Sequence, residues 1–223
     1  MKKIGILCAT EKEIRPFLDE MKNIQKANTA MLSFQEGTID SVPVIAVYSG
    51  VGKINVAIAA QILISQYEAE YIIISGIAGG MGKDVAIFDT VVCTEFVCHD
   101  TNNEIYTEYH PWLNEPKFYA DKELVLCARA VAENVPQKVH FGLSTTGEIF
   151  INLENSDALC IEMENIAAAH VCYVNHIPFI AIRSISDNNQ ENGQEVIDKN
   201  FDRASYQSFF MVKEMIKKMN IIK

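Results

Sequence analysis

Basic residues are scarce and never clustered: four arginines (Arg15, Arg129, Arg183 and Arg203) and fifteen lysines face 29 acidic residues, for a formal net charge of −10 and a pI near 5.0. Without a basic run the chain has no footprint for nucleic acid or an anionic membrane, and a small-molecule partner is expected. Hydrophobic runs of membrane-spanning length are also missing, because polar residues interrupt every apolar segment first. After Met-Lys-Lys the apolar stretch Ile4 to Ala9 is too short for a signal h-region and is closed at once by Glu11, Lys12 and Glu13. The expectation is a cytoplasmic protein. Six cysteines (Cys8, Cys93, Cys98, Cys127, Cys160 and Cys172) form no C-x-x-C and have no histidine at metal-ligand spacing. They sit mostly in apolar strand or helix patterns, which makes them packing residues and implies neither disulfide nor metal.

Phosphate-binding signatures fail as well. Ser49-Gly50-Val51-Gly52-Lys53 lacks both the upstream glycine and the hydroxyl residue after lysine that a P-loop uses to hold phosphate and magnesium. Gly76-Ile77-Ala78-Gly79-Gly80 follows an apolar strand but is not G-x-G-x-x-G, so a tight turn is expected there, one whose backbone can approach a ligand closely. From the glycines alone the simpler reading is a structural turn.

What is present alternates. With 223 residues, 49% hydrophobic and 22% charged, the chain can bury one sizeable core and is read as one domain, residues 1–223. Ile4 to Ala9 is a strand, followed by a helix carrying Ile14, Phe17, Leu18 and Met21. Residues 29–49 give two or three strands with a turn near Glu36 and Gly37. Lys53 to Tyr67 is helical, Tyr71 to Ser75 a short all-apolar strand covered on both faces, and Thr90 to Val97 another strand. His99 to Ala120 is a long polar and aromatic connection, a candidate lid or interface loop. Leu124 to Ala132 is helix, Val139 to Thr145 strand, and Gln194 to Met219 a terminal helix. This βαβ rhythm implies an α/β fold with a mostly parallel sheet and helices on its faces.

The stretch Cys160 to Asp187 organises the rest. It reads as a strand end (Leu159 to Ile161), a helix from near Met163 to near Asn175 with Ile166, Ala169, His170 and Tyr173 at helical spacing, and a strand from Pro178 to Ile185. A helix of about a dozen residues covers roughly 18–20 Å, and seven strand residues roughly 23 Å. A parallel return would therefore bring Glu164 and Asp187 to the same sheet edge, where open α/β sheets bind ligands. Glu13, in the first turn of the first helix, joins them. Singly, each acid has an ordinary explanation in capping or helix dipoles. Together, at the carboxyl ends of three parallel strands beside a glycine turn, they form a carboxylate-lined cleft suited to a hydroxyl-rich substrate that develops positive charge.

IGILCATEKEI at the amino terminus, SGIAGG in the middle, TGEIFIN at residues 146–152, IEMEN at 161–165 and RSISD at 183–187 resemble the bacterial methylthioadenosine/S-adenosylhomocysteine nucleosidases of the nucleoside phosphorylase/nucleosidase superfamily. The motifs run in family order and spacing over nearly the full chain. The resemblance implies a central twisted mixed sheet flanked by helices on both faces, a homodimer, and irreversible hydrolysis of an adenine N-glycosidic bond without metal or organic cofactor.

By position the resemblance makes Glu13 the acid that orients and deprotonates water, and Asp187 the acid that protonates adenine N7. Glu164 would hold the ribose hydroxyls and Met163 pack against the sugar. Phe150 would stack on adenine, Ile151 bind it through its backbone, and Ser186 position Asp187. Arg183 would lie by the ribose, with Ala78 and Gly79 lining the substrate. Cleavage builds an oxocarbenium-like ribosyl cation and a purine anion, so one acid must protonate the leaving group while anions near the sugar favour the cation.

Two other readings stay open. A phosphorylase of the same superfamily would need a phosphate site, for which this chain has few arginines. A nucleoside-binding module without catalysis is disfavoured by the presence of all three carboxylates. The region His99 to Trp112, with Tyr106, Tyr109 and Trp112 among polar residues, is expected to complete a neighbour's site. The positions matching the family's apolar 5′-alkylthio pocket are Thr10, Val51, Asn103, Tyr106 and Ile197. Thr10 and Asn103 are polar, which either points to weaker discrimination for methylthioadenosine and to a polar 5′ group, as in adenosine or a futalosine-type nucleoside, or means that both face water or backbone and leave the tail pocket apolar.

Overall fold

The computed structural model describes residues 2–110, 113–149, 156–188 and 193–221. Its strands are β1 (Ile4–Cys8), β2 (Lys22–Thr29), β3 (Leu32–Ile39), β4 (Val42–Tyr48), β5 (Tyr71–Gly80), β6 (Thr90–Cys98), β7 (Phe118–Tyr119), β8 (Val139–Thr146), β9 (Cys160–Glu162) and β10 (Phe179–Asp187). Its helices are α1 (Glu11–Glu20), α2 (Lys53–Ser65), α3 (Asn103–Glu108), α4 (Lys122–Ala132), α5 (Asn165–Val174) and α6 (Gly193–Ile221). The strands form one sheet, ordered β10-β6-β8-β9-β5-β1-β4-β3-β2, with β7 beside β6 and a further pairing of β10 with β5. That last pairing closes β5, β10, β6, β8 and β9 into a ring.

The architecture is the mixed sheet that the resemblance implies, and less parallel than the βαβ rhythm suggests. Strands β4, β1, β5 and β10 run one way. Strands β6, β8 and β9 run together in the opposite direction, joined to the first set by the antiparallel pairs β10–β6 and β5–β9. Helices α1, α4 and α6 pack as one group and α2 with α5 as another. Every residue of β10 is buried, as are Ile72, Ile73 and Ile74 of β5, which explains why both read as near-continuous apolar runs.

Three expectations change. The turn near Glu36 and Gly37 is absent, because both residues lie inside β3, and the turns fall at Ala30-Met31 and Asp40-Ser41. All four turn residues have positive φ (49°, 64°, 47° and 67°), the backbone of a two-residue hairpin that usually advertises itself with Asn-Gly. Gly37 serves close strand approach instead: a Cβ there would stand 2.6 Å from the Lys22 carbonyl.

The glycine turn after Tyr71–Ser75 is likewise a continued strand, since β5 runs to Gly80. Its length lets β1 and β9 share one of its edges, β1 at Tyr71–Ile74 and β9 at Gly79–Gly80, while β10 occupies the other. Finally, β9 is antiparallel to β5, so Glu164 and Asp187 do not meet by a parallel return. They meet because Gly79 is the register partner of both Ile161 and Asp187.

Helix α6 is tied to this junction by Ser208. Its hydroxyl accepts from Gly76 N (3.0 Å), donates to Ile182 O (2.9 Å) and hydrogen-bonds Ser75 Oγ at 2.6 Å. Ser208→Ala leaves a buried N–H without this acceptor, so a loss of about 1–3 kcal/mol is expected. Urea denaturation would check it, and a midpoint equal to that of the parent would refute the anchoring role.

Candidate active site

The site grows from the end of β1. Thr10 caps α1 and, with Glu13 at the third helical position, forms a capping box. Glu13 Oε2 accepts from Ala9 N (3.1 Å), Thr10 N (2.9 Å) and Thr10 Oγ1 (3.0 Å), and Oε1 accepts from Ile77 N in β5 (2.9 Å). The carboxylate is 3% exposed and pinned between two strand ends. Gly76 makes this possible: a Cβ there would lie 2.3 Å from Glu13 Oε1 and 2.9 Å from Arg183 Nη1.

Arg183, on β10, is 1% exposed and has all three nitrogens engaged. Nε donates to Asn165 Oδ1 (3.0 Å) and Nη1 to Ile77 O (3.1 Å). Nη2 donates to Asn165 Oδ1 (2.7 Å), Glu164 Oε2 (3.1 Å) and Glu162 Oε2 (3.2 Å). Burial opposes its charge, but the carboxylates of Glu162, Glu164 and Glu13 outweigh that and drive its pKa further up.

Glu162 was not singled out by sequence reasoning. Its oxygens accept from Glu164 N (2.7 Å), Asn165 N (2.6 Å) and Ser144 Oγ (3.1 Å), and from Thr146 Oγ1. It thereby does the capping for α5. Glu164, the residue at the N-cap position, makes no side-chain cap bond. Its carboxylate is left to face the cavity, where Oε1 accepts from Gly52 N at 3.1 Å. Gly50 and Gly52, at φ 87° and 102°, give the 49–53 loop the backbone that delivers this N–H.

At the other end of the cavity Ser186 donates to Asp187 Oδ1 (2.8 Å), and Asn200 of α6 donates to the Ser186 carbonyl (2.8 Å). Gly79 leaves room for β9 beside it, since a Cβ there would meet Ile161 Cγ2 at 3.0 Å, while Asp187 Oδ2 at 3.4 Å would be in ordinary contact.

One cavity is lined by Glu13, Glu164, Met163, Arg183, Ala78, Gly79, Ser186, Asp187, Thr10, Val51 and Ile197, all singled out from the sequence, and by Glu162, Ile149 and Phe201, which were not. Phe201 lies one turn of α6 beyond Ile197, a spacing that could have drawn attention to it. Phe150, Ile151 and Trp112 lie outside the described residues, as do the side chains of Asn103 and Tyr106, whose backbone forms part of α3. The Thr10 hydroxyl is not an unpaired polar group in a tail pocket. It donates to Glu13 Oε2 and accepts from Glu13 N, which removes half of the argument for a polar 5′ pocket. Among the described residues, no group of three or more His, Cys, Asp or Glu could hold a metal ion, and no helix is long and apolar enough to cross a membrane. All six cysteines are buried and free.

Among known proteins, the phosphorylase superfamily model matches residues 3–217. A 5′-methylthioadenosine/S-adenosylhomocysteine nucleosidase from an Exiguobacterium species is 34% identical, with 97% of this chain and 98% of that protein covered. The enzyme of that name from Staphylococcus carnosus is 31% identical over 97% of this chain and 100% of that protein. Of solved structures, the Neisseria meningitidis 5′-methylthioadenosine/S-adenosylhomocysteine nucleosidase in complex with methylthio-immucillin-A superposes with a TM-score of 0.90 at 28% identity, covering 98% of this chain and 100% of that one. Futalosine hydrolase of Helicobacter pylori superposes with a TM-score of 0.88 at 25% identity, covering 97% and 98%.

Burial lifts the Glu164 carboxyl from 4.5 to about 7; Glu162 and Glu13 add to the rise, and Arg183, shared with Glu162, offsets only part of it. Between about pH 4.5 and 7 the folded state therefore holds a proton that the unfolded chain has released, and this group lowers stability as pH rises through that window. Glu164→Gln is expected to flatten the fall in melting temperature there. Thermal melts of parent and variant with the same slope would contradict that assignment.

Proposed function

The chain belongs to the phosphorylase superfamily, and from that membership we propose that it uses water to cleave the N-glycosidic bond of an adenine nucleoside carrying a 5′-alkylthio group, as in 5′-methylthioadenosine or S-adenosylhomocysteine. The products are adenine and the matching ribose derivative. The roles are those the resemblance implies, and the cavity geometry supports those of Glu13, Glu164, Met163 and Asp187. Glu13, held by four donors at the floor of the cavity, orients and deprotonates the water. Glu164 takes the ribose hydroxyls, and Met163 packs on the sugar. Asp187, with Ser186 beside it, delivers the proton to adenine N7, while Phe150 and Ile151 receive the base. As the bond breaks, the ribosyl ring becomes cationic beside carboxylates already in place, which is where preorganised charge lowers a barrier.

One observation carries the choice of water over phosphate. The described cavity lining holds four carboxylates (Glu13, Glu162, Glu164 and Asp187) and a single cation, Arg183, whose nitrogens are spent on Asn165, Ile77, Glu162 and Glu164. A phosphate dianion would meet carboxylates with no free guanidinium to offset them. Incubation of the purified protein with methylthioadenosine in phosphate-free buffer is expected to release adenine at a rate that added phosphate leaves unchanged. Asp187→Asn, nearly isosteric and still able to accept from Ser186, is expected to cost at least about 10²-fold in kcat with little change in melting temperature. Retained turnover would remove Asp187 from the chemistry.

The 5′ end favours an apolar group. With the Thr10 hydroxyl committed to Glu13, the remaining described side chains at the expected tail positions are Val51 and Ile197, joined by Phe201. A methylthio group buries about two methylene equivalents at roughly 0.8 kcal/mol each, and an unpaired 5′-hydroxyl would cost about 1–3 kcal/mol. We expect kcat/KM for methylthioadenosine to exceed that for adenosine by at least about tenfold; parity would restore the polar-pocket reading.

The same reading has the protein act in the cytoplasm as a homodimer. Supporting the dimer, α2 and α5 leave a largely apolar groove lined by Ile54, Ala57, Ile166, Ala167, Val171 and Val174 together with Lys53 and His170; Ile54 is 74% exposed, and the same two helices also expose Ile58 (45%) and Tyr173 (47%). Exposed apolar surface of this kind marks an interface. Ile54→Glu is expected to yield monomers in light scattering, and a parent protein that is itself a fully active monomer would refute the dimer.

A further inference from the structure

His99 and Asp100 follow β6 and stand behind the 147–149 segment, whose Gly147 and Ile149 line the cavity. The backbone of His99 donates to Thr146 O at 3.0 Å. Its ring bridges that segment to β8, with Nε2 3.2 Å from the Ile149 carbonyl and Nδ1 3.2 Å from Thr145 Oγ1. A carbonyl oxygen only accepts, so Nε2 carries the proton, and in the neutral ring Nδ1 then accepts from the Thr145 hydroxyl. The partners thus assign the tautomer. The imidazole fills the space over Gly147, where a Cβ would stand 2.1 Å from Nε2.

Asp100 secures the next residue. Its Oδ2 accepts from Glu148 N (2.7 Å), and its Oδ1 pairs with Lys53 Nζ (2.6 Å). Glu148 Oε1 in turn accepts from Lys53 N at 2.9 Å, supplying a cap that α2 lacks, since Gly52 at its N-cap position has no side chain to give. The neighbouring Gly52 N is the donor to Glu164. A closed loop of contacts therefore joins the cavity wall at 147–149 to the start of α2.

We propose that His99, backed by Asp100, is a positioning residue that sets affinity for the purine base by fixing the 147–149 wall. The inference rests on the adenine-nucleoside reading above. His99 touches no reacting atom, so its loss acts on base binding and spares the chemical step. Glutamine can reproduce both bonds, donating from its amide nitrogen and accepting at its amide oxygen, whereas alanine reproduces neither and phenylalanine keeps only the bulk.

Calorimetric binding of adenine, together with kcat and KM for methylthioadenosine, would be measured for the parent and for His99→Ala, His99→Gln, His99→Phe and Gly147→Ala. The expected result is an adenine Kd and a KM raised about tenfold or more in the Ala and Phe variants and in Gly147→Ala. His99→Gln should stay within about threefold of the parent, and kcat within about threefold in all three His99 variants. Should His99→Ala not fold, the Gln and Phe pair decides: a Gln variant near the parent with a weakened Phe variant upholds the proposal. Equal adenine affinity in parent, Gln and Phe proteins overturns it while leaving the nucleosidase reading intact. A parent protein that neither binds adenine nor releases it from the nucleoside overturns both.

Discussion

A single buried guanidinium organises this protein. Arg183 sits on β10 almost wholly buried, and the carboxylates around it come from β9 (Glu162), the loop into α5 (Glu164) and, at longer range, α1 (Glu13). Burying a charge costs several kcal/mol unless partners are placed with care, so this cation constrains where four elements can lie. Asn165 and the Ile77 carbonyl complete its shell, joining the first residue of α5 and the far part of β5 to the same point. The arrangement is expensive as a source of stability; its effect is to place two glutamates side by side, with one of them turned toward the cavity.

The division of labour between Glu162 and Glu164 follows from that crowding. One guanidinium cannot satisfy both. Glu162 takes the additional donors Ser144, Thr146 and two backbone N–H groups, whereas Glu164 has Gly52 N and a share of Arg183. Two acids two residues apart therefore occupy different environments: one bonds inward and caps α5, the other faces the cavity with its carboxyl lifted to about 7 by burial. A substrate diol arriving at Glu164 would find an acceptor already desolvated and oriented, with the reorganisation done during folding.

Much of this was legible in the sequence. The elements carrying Glu13, Glu164 and Asp187 stand out by apolar periodicity, and the three acids do line one cavity. The route by which they meet was not legible, because β9 is three residues long, too short to declare its direction. Its antiparallel pairing with β5 is a tertiary fact. The hairpin turns were hidden because Ala-Met and Asp-Ser accept positive φ there without the usual glycine. Glu162 was missed because an acid that bonds only inward has no motif of its own. For Thr10 the sequence leaves two readings, a pocket group or a hydroxyl turned away from the tail, and the capping geometry decides for the second by turning it to Glu13.

Gly76 gives this architecture a direction in evolutionary time. Nothing larger than hydrogen fits at that position while Glu13 and Arg183 stand where they do, so any side chain gained there must displace both. Displacing Glu13 would break the bonds to Thr10 and Ile77 that seat α1 against β5. A lineage that enlarges position 76 therefore has to rebuild the seat of α1 and the guanidinium cluster of β9 and α5 with it, and the two change together.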